Sequence, residues 1–504
     1  MSRTKKATKN ILFSLLSSCL SLILTLVNRK VILSFMGSEM LGYESLFANI
    51  FSVLSLTEMG AGTVIAYQLY TSVANKDEYE TNILISMYKF LYRIIGIIVC
   101  IIGVIFFFFL QYIVTDYTAS FQFIQKIYLI QLIATICSYF LSYRRMLFIS
   151  DQKEYVITKI DMLVNFITQI LKILAVILFK NYIIYLLISV CKEIVVNIIV
   201  HITSRKNYQN YKYIHVKKED FQKRRIFKDM FNFVGQKISS AIYYNTDNIL
   251  ISMLLGVSTV GIYSNYYVIK NQVFRLTTKI FNPIQASIGN FINDSKNDIN
   301  DVKKLFDTLD VISFSFALIF SCCLYNLIQP FVSLWYGKEY LISNLVVILI
   351  VINAYMETLR EIPYYFRSAF GEYEKDRKYV TFGAIANIIL TICLGKTIGL
   401  IGVLIGTVVG MFFLWYGVVK FLYSYYFKLN ILDYYFKHLK LGLISFITIL
   451  GISIICNKIP ITLIGLIIRA ILCLFISIVI IYLVYHNKDE YKNLILYVKK
   501  ILKR

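Results

Sequence analysis

The sequence has only four prolines and two tryptophans in 504 residues, and only 16% of it is charged. A soluble globular chain carries roughly a quarter charged residues. The shortfall here is taken up by apolar residues, 58% of the total. Runs such as Ile94–Leu110 and Ile461–Val484 hold almost no charge. A stretch of ~20 apolar residues is what a helix needs to cross ~30 Å of hydrocarbon. A soluble α/β fold has no use for so many in series, so the chain reads as an all-α, polytopic membrane protein.

Other absences narrow the chemistry. Cys19, Cys100, Cys137, Cys191, Cys322, Cys323, Cys393, Cys456 and Cys473 all fall inside apolar runs, with no Cys-x-x-Cys pair and no histidine at ligand spacing. They read as small buried hydrophobes, and no metal or other cofactor is expected. His201, His215, His438 and His486 are scattered over unrelated loops and span ends. Leu394-Gly395-Lys396-Thr397 imitates the end of a phosphate-binding loop, but Leu390 stands where the first glycine is needed. No long loop exists on one side of the chain to house a polymerase or glycosyltransferase domain. An enzyme such as a membrane acyltransferase or glycan polymerase therefore finds little support.

Apolar runs between polar breaks place about fourteen spans, near 11–34, 43–70, 86–110, 122–143, 156–179, 182–203, 231–255, 260–290, 307–330, 341–366, 379–395, 398–424, 437–457 and 460–485. The basic start Met1–Lys9 raises the question of a signal peptide, but no small-residue cleavage site follows and the run is read as a retained first span. Lys and Arg accumulate in cytoplasmic loops. With both termini inside, the outer loops keep only Lys180, Lys338, Lys396 and Lys458. One miscounted span would scramble that alternation. The net charge of +23 follows from the same asymmetry, since the basic residues are parcelled out loop by loop; nucleic acid is not expected as a partner. The densest clusters are Arg205–Lys228 and Lys488–Arg504. The tail has an apolar face and a basic one, the pattern of a surface helix on anionic lipid.

Two segments repeat at a constant offset of 219 residues, Asn28–Gly37 with Gly42 and Asp247–Gly256 with Gly261. Each straddles the outer hairpin between an odd and an even span, and each pairs a polar residue with two glycines suited to turns and helix ends. Duplicated halves are a common construction of transporters. The stretch Asp247–Tyr263, together with Leu56-Thr57-Glu58-Met59-Gly60-Ala61-Gly62, resembles the signatures of Wzx-type polysaccharide flippases, in the multidrug and oligosaccharidyl-lipid exporter superfamily. The resemblance implies two pseudo-symmetric six-helix lobes around a cavity, spans 1–6 (residues 1–203) and 7–12 (231–425). A basic loop (204–230) joins them, and an extra helical hairpin (426–486) and a basic tail (487–504) follow. It also implies a bacterial plasma-membrane transporter of undecaprenyl-diphosphate-linked oligosaccharide for a capsule, O-antigen or other surface polymer, with membrane lipids, and other polysaccharide-assembly membrane proteins, as partners.

Charges inside spans are costly, ~2.5–3.5 kcal/mol on insertion scales, and face partners or water. Span 5 carries Asp161, Asn165, Thr168 and Lys172 on one stripe; span 8 carries Asn271, Arg275, Thr278 and Asn282. Arg29, Lys172, Lys270 and Arg275 are the candidates for a cationic cavity that binds a diphosphate, which Arg suits best. Glu58, Asp161 and Asp247 are candidates for H+ or Na+ coupling. Ser14, Ser17, Ser21 and Thr25 on span 1 read as helix packing. A drug or cation exporter of the same superfamily would concentrate acids in the cavity instead. If spans 1–2 and 7–8 are equivalent elements of two rocking lobes, their outer ends should meet when the cavity faces the cytoplasm.

Overall fold

In the computed structural model the described residues are 3–55, 61–140, 142–217, 220, 239–293, 298–372 and 374–493. They are almost entirely helical, with no strand among them. Each expected span falls on a helix, or on consecutive helices, wherever its residues are described. Among the described residues, ten helices are long and apolar enough to cross a membrane. Their outward faces carry exposed side chains such as Ile101, Phe108, Ile447 and Ile464, which only lipid can accommodate over so large an area.

The chain divides into two compact units, Met1–Gly261 and Ile262–Arg504. In the first, α1 (Arg3–Met36), α2 (Ser38–Leu54), α3 (Ala61–Ala74), α4 (Glu78–Ile113) and α5 (Phe121–Phe140) are followed by the short α6 (Arg145–Ser150). Then come α7 (Glu154–Phe179), α8 (Tyr182–Asn207), α9 (Asp247–Leu255) and the first turn of α10 (Val257–Asn293). The α4 helix is 36 residues long, roughly 54 Å at 1.5 Å per residue, so it projects beyond the bilayer. Its start is fixed by Asp77, whose side chain accepts from the Glu80 amide at 3.0 Å. The hairpin between α7 and α8 needs only two residues. Lys180 adopts a left-handed conformation (φ 46°) and Asn181 caps α8 through the Ile183 amide at 2.9 Å.

After α8 the chain lies extended along the start of α4. Asn210 Nδ2 donates to Glu78 Oε1 at 2.9 Å, the Lys212 amide to Asn82 Oδ1 at 2.8 Å and the Ile214 amide to Ser86 Oγ at 3.0 Å. Two extended residues advance about 6.6 Å and four helical ones about 6.0 Å. The two repeats are nearly commensurate, so every second residue of the strap meets every fourth of the helix. Tyr213 adds its ring under Lys89 Nζ, 4.0 Å from the centroid.

The second unit holds the rest of α10, then α11 (Ile299–Trp335), α12 (Asn344–Phe370), α13 (Glu374–Ile398), α14 (Leu400–Lys420), α15 (Ile431–Cys456) and α16 (Leu463–Tyr485). The α15–α16 hairpin is fastened by charge. Lys437 Nζ reaches Asp310 Oδ2 on α11 at 2.7 Å, and His438 Nε2 lies 3.2 Å from the same oxygen. The α10 and α12 helices are long enough to span but are not apolar enough to count among the ten. Both carry charge at mid-length.

Candidate functional site

The repeat hairpins are built alike. Gly37 ends α1 with φ 80° and Gly256 ends α9 with φ 88°, a backbone that side-chain-bearing residues rarely adopt. One turn later, Gly42 and Gly261 bring the hairpins into backbone contact. A Cβ on Gly42 would lie 2.1 Å from the Val257 carbonyl oxygen, and one on Gly261 would lie 1.9 Å from that of Ser38. Ser38 and Val257 are themselves repeat equivalents, so the contact is reciprocal, as an isologous interface is. The sequence led us to expect these outer ends to meet; the structure adds that they do so backbone to backbone at the second glycine of each repeat.

The α4–α5 loop joins both hairpins. Glu39 accepts from the amides of Thr118 at 3.0 Å and Ala119 at 3.3 Å, and from the hydroxyls of Thr118 and Tyr43. Burial opposes ionisation of Glu39, but these donors outweigh it and hold the carboxyl below its ordinary range. On the other side, Thr115 Oγ1 donates to the Ser252 carbonyl at 2.5 Å, the Val257 amide to the Thr115 carbonyl at 3.1 Å and Ser252 Oγ to the Ile113 carbonyl at 2.7 Å. Sequence reasoning missed Glu39 and Thr118. A carboxylate two residues after a helix-ending glycine was the available signal.

The four cations separate by environment. Arg29 is buried, as is its repeat equivalent Asn248. Lys172 is buried, with its ammonium 4.3 Å from the centre of the Tyr185 ring; Tyr185 also donates to Glu44 at 3.1 Å. Lys270 is buried in an ion pair with Glu357 and donates to Asn353 Oδ1 at 3.1 Å. Arg275 differs. It is the central residue of α10 and is exposed, and no described acid forms an ion pair with it.

Among the three acids, Glu58 lies outside the described residues. Asp247 is buried at the start of α9. Asp161 makes a two-pronged bond with Arg145, both distances 2.9 Å. That pair opens on a cavity of about 430 Å³ within the first unit. Ser17 and Ser21 from α1 line it, with Asn165 from α7 and the Lys192–Glu193 pair and Asn197 from α8. Ser17 and Ser21, expected to serve packing, face this space instead. Asn197 is held in place by donating to the Cys137 carbonyl at 3.1 Å. Among the described residues no cluster of three His, Cys, Asp or Glu could hold a metal ion.

Comparison with known proteins follows the same lines. A family model described as "Polysaccharide biosynthesis protein" matches residues 7–288. No curated protein sequence matches. Among solved structures, the lipid II flippase MurJ in an inward closed conformation is similar with a TM-score of 0.70 and 17% identity, over 95% of this chain and 99% of that one. An inward-facing multidrug resistance MATE family transporter of the MOP superfamily gives 0.64 and 14%, over 80% and 93%. A MOP superfamily transporter from Pyrococcus furiosus gives 0.58 and 12%, over 82% and 94%. At these identities the structural likeness establishes the fold alone, a multi-pass helical membrane fold. The family match covers more than half of the chain, which therefore belongs to the polysaccharide biosynthesis protein family.

Proposed function

We propose that the protein flips an undecaprenyl-diphosphate-linked oligosaccharide from the cytoplasmic to the outer leaflet of a bacterial plasma membrane, by alternating access and without catalysis. The observation that carries the reading is Arg275, an exposed guanidinium at the middle of the polar helix α10. A charge at that depth is tolerated where it meets water or an anion, not lipid. A guanidinium offers the planar fork that phosphate oxygens accept best. Arg29, Lys172 and Lys270 are the further cations proposed to serve the head group, Lys270 once released from Glu357, while Asp247 and Glu58 are the acids proposed for H+ or Na+ coupling.

The distribution of Lys and Arg supports placing both termini in the cytoplasm and the Gly37 and Gly256 hairpins outside. The reciprocal contact of those hairpins then acts as an outer gate, closed while the head group loads from the cytoplasm. A drug or cation exporter is the weaker reading, because two acids within helices, Asp161 and Glu357, are each held by a cation. Cells lacking the protein should lose one surface polymer and accumulate its lipid-linked repeat unit on the cytoplasmic face. Normal polymer with no accumulated precursor would sink the proposal.

A further inference from the structure

We infer that the polar cavity between α1, α5, α7 and α8 is a sugar subsite, which takes one uncharged, hydroxyl-rich ring of the oligosaccharide head group. This assignment rests on the flippase reading and adds where and how the glycan is recognised. Three properties of the cavity point to it.

The first is charge. The lining carries Arg145 and Lys192 against Asp161 and Glu193, which sum to zero. A diphosphate entering it would meet two carboxylates, and a metal cation would meet a guanidinium and an ammonium. A neutral polar molecule meets no opposing charge. The second is the donor and acceptor set. A sugar hydroxyl donates one hydrogen bond and accepts up to two. Carboxylates only accept, Arg and Lys only donate, and amides and hydroxyls do both. The cavity has all three kinds, with Asn165, Asn197, Ser17, Ser21 and Ser138 supplying the last. The third is size. At ~30 Å³ for each water-sized group, 430 Å³ accommodates roughly 14 of them, which is one ring with its substituents and less than a disaccharide.

The site is also prepared in advance. Arg145 and Asp161 hold each other in two 2.9 Å bonds, Lys192 and Glu193 are joined at 3.1 Å, and Asn197 is tied to the backbone of α5. Side chains already fixed lose little freedom on binding. Helix packing alone would close this space with direct interhelical bonds rather than leave it open.

The test compares two probes on the full-length protein in lipid nanodiscs. One is undecaprenyl diphosphate; the other is undecaprenyl-diphosphate-linked oligosaccharide extracted from cells that lack the protein. Wild type should bind the glycosylated lipid at least tenfold more tightly. Ser21→Phe, which fills the cavity, and Asn165→Ala, which removes one half-buried amide, should bring the two affinities together and leave that for undecaprenyl diphosphate unchanged. If Ser21→Phe does not fold, Asn165→Ala carries the comparison. Equal wild-type affinities, or a preference that survives in the folded variants, would overturn the subsite. So would variants that lose undecaprenyl diphosphate as well, since the cavity would then hold the diphosphate. Wild type that binds neither lipid would instead refute the flippase reading itself.

Discussion

Replacing Gly261 with alanine should open the outer gate. Its Cβ would sit 1.9 Å from the Ser38 carbonyl oxygen and 2.7 Å from the carbonyl carbon. Ordinary C···O contacts are about 3.3 Å or longer, so the hairpins must part by roughly 1.4 Å. The α4–α5 loop is bonded to both hairpins and can follow only one of them. If it stays with α2, it loses the three bonds that join Thr115 and Ile113 to Ser252 and Val257. At ~0.5–1.5 kcal/mol each, the closed arrangement loses roughly 1.5–4.5 kcal/mol. Every 1.4 kcal/mol is tenfold, so the closed population should fall relative to open by about 10- to 1,000-fold. Spin labels at Phe35 and Met253, both exposed, in a cysteine-free background would report the change by double electron–electron resonance. Gly261→Ala should add a long-distance population and reduce export. Gly442→Ala, whose Cβ meets nothing within 4 Å, serves as the control for helix propensity. An unchanged distance distribution with normal export in Gly261→Ala would refute the gate.

Two further outcomes are expected. Glu357→Leu alone should destabilise the protein by about 3–5 kcal/mol, because it strands a buried ammonium, whereas Lys270→Met with Glu357→Leu should melt near wild type. Transport by that folded double variant then reports whether Lys270 has any role beyond the pair. The Glu39 carboxyl is held below its ordinary value of 4.5, so its stabilising contribution is fully present above that pH and lost as pH falls through the lowered folded value. Thermal melts in acid should show an extra loss below pH 4.5 that Glu39→Gln abolishes; identical profiles would remove Glu39 from the gate.

Span positions and the repeat were legible because each depends on one local property, hydrophobic length or glycine spacing. Partners were not. The 3.6-residue period puts Asp161 and Lys172 on one stripe, yet Asp161 reaches Arg145 across the α6 turn and Lys172 settles on Tyr185 of α8. Lys270 finds Glu357 across 87 residues of sequence. Periodicity gives the face on which a charge lies and says nothing about which helix packs there. The cavity illustrates this most fully, since Ser17 and Asn197 meet only after four helices fold together. Arg275 was expected near the midpoint of its span and is the central residue of α10; its exposure depends on which helices pack beside it, which periodicity does not give.

The central claim is tested most directly by reconstitution. Purified protein in proteoliposomes would be given undecaprenyl-diphosphate-linked oligosaccharide in one leaflet, and its arrival in the other followed with a membrane-impermeant glycosidase. Wild type should transfer it, Arg275→Ala should lose transfer while folding normally, and Arg275→Lys should regain only part, because an ammonium lacks the planar fork. A charge-assisted bond of this kind is worth about 1.5–3 kcal/mol, which sets the expected loss at roughly 10- to 150-fold. Transfer by Arg275→Ala at the wild-type rate, or none by wild type, would contradict the account.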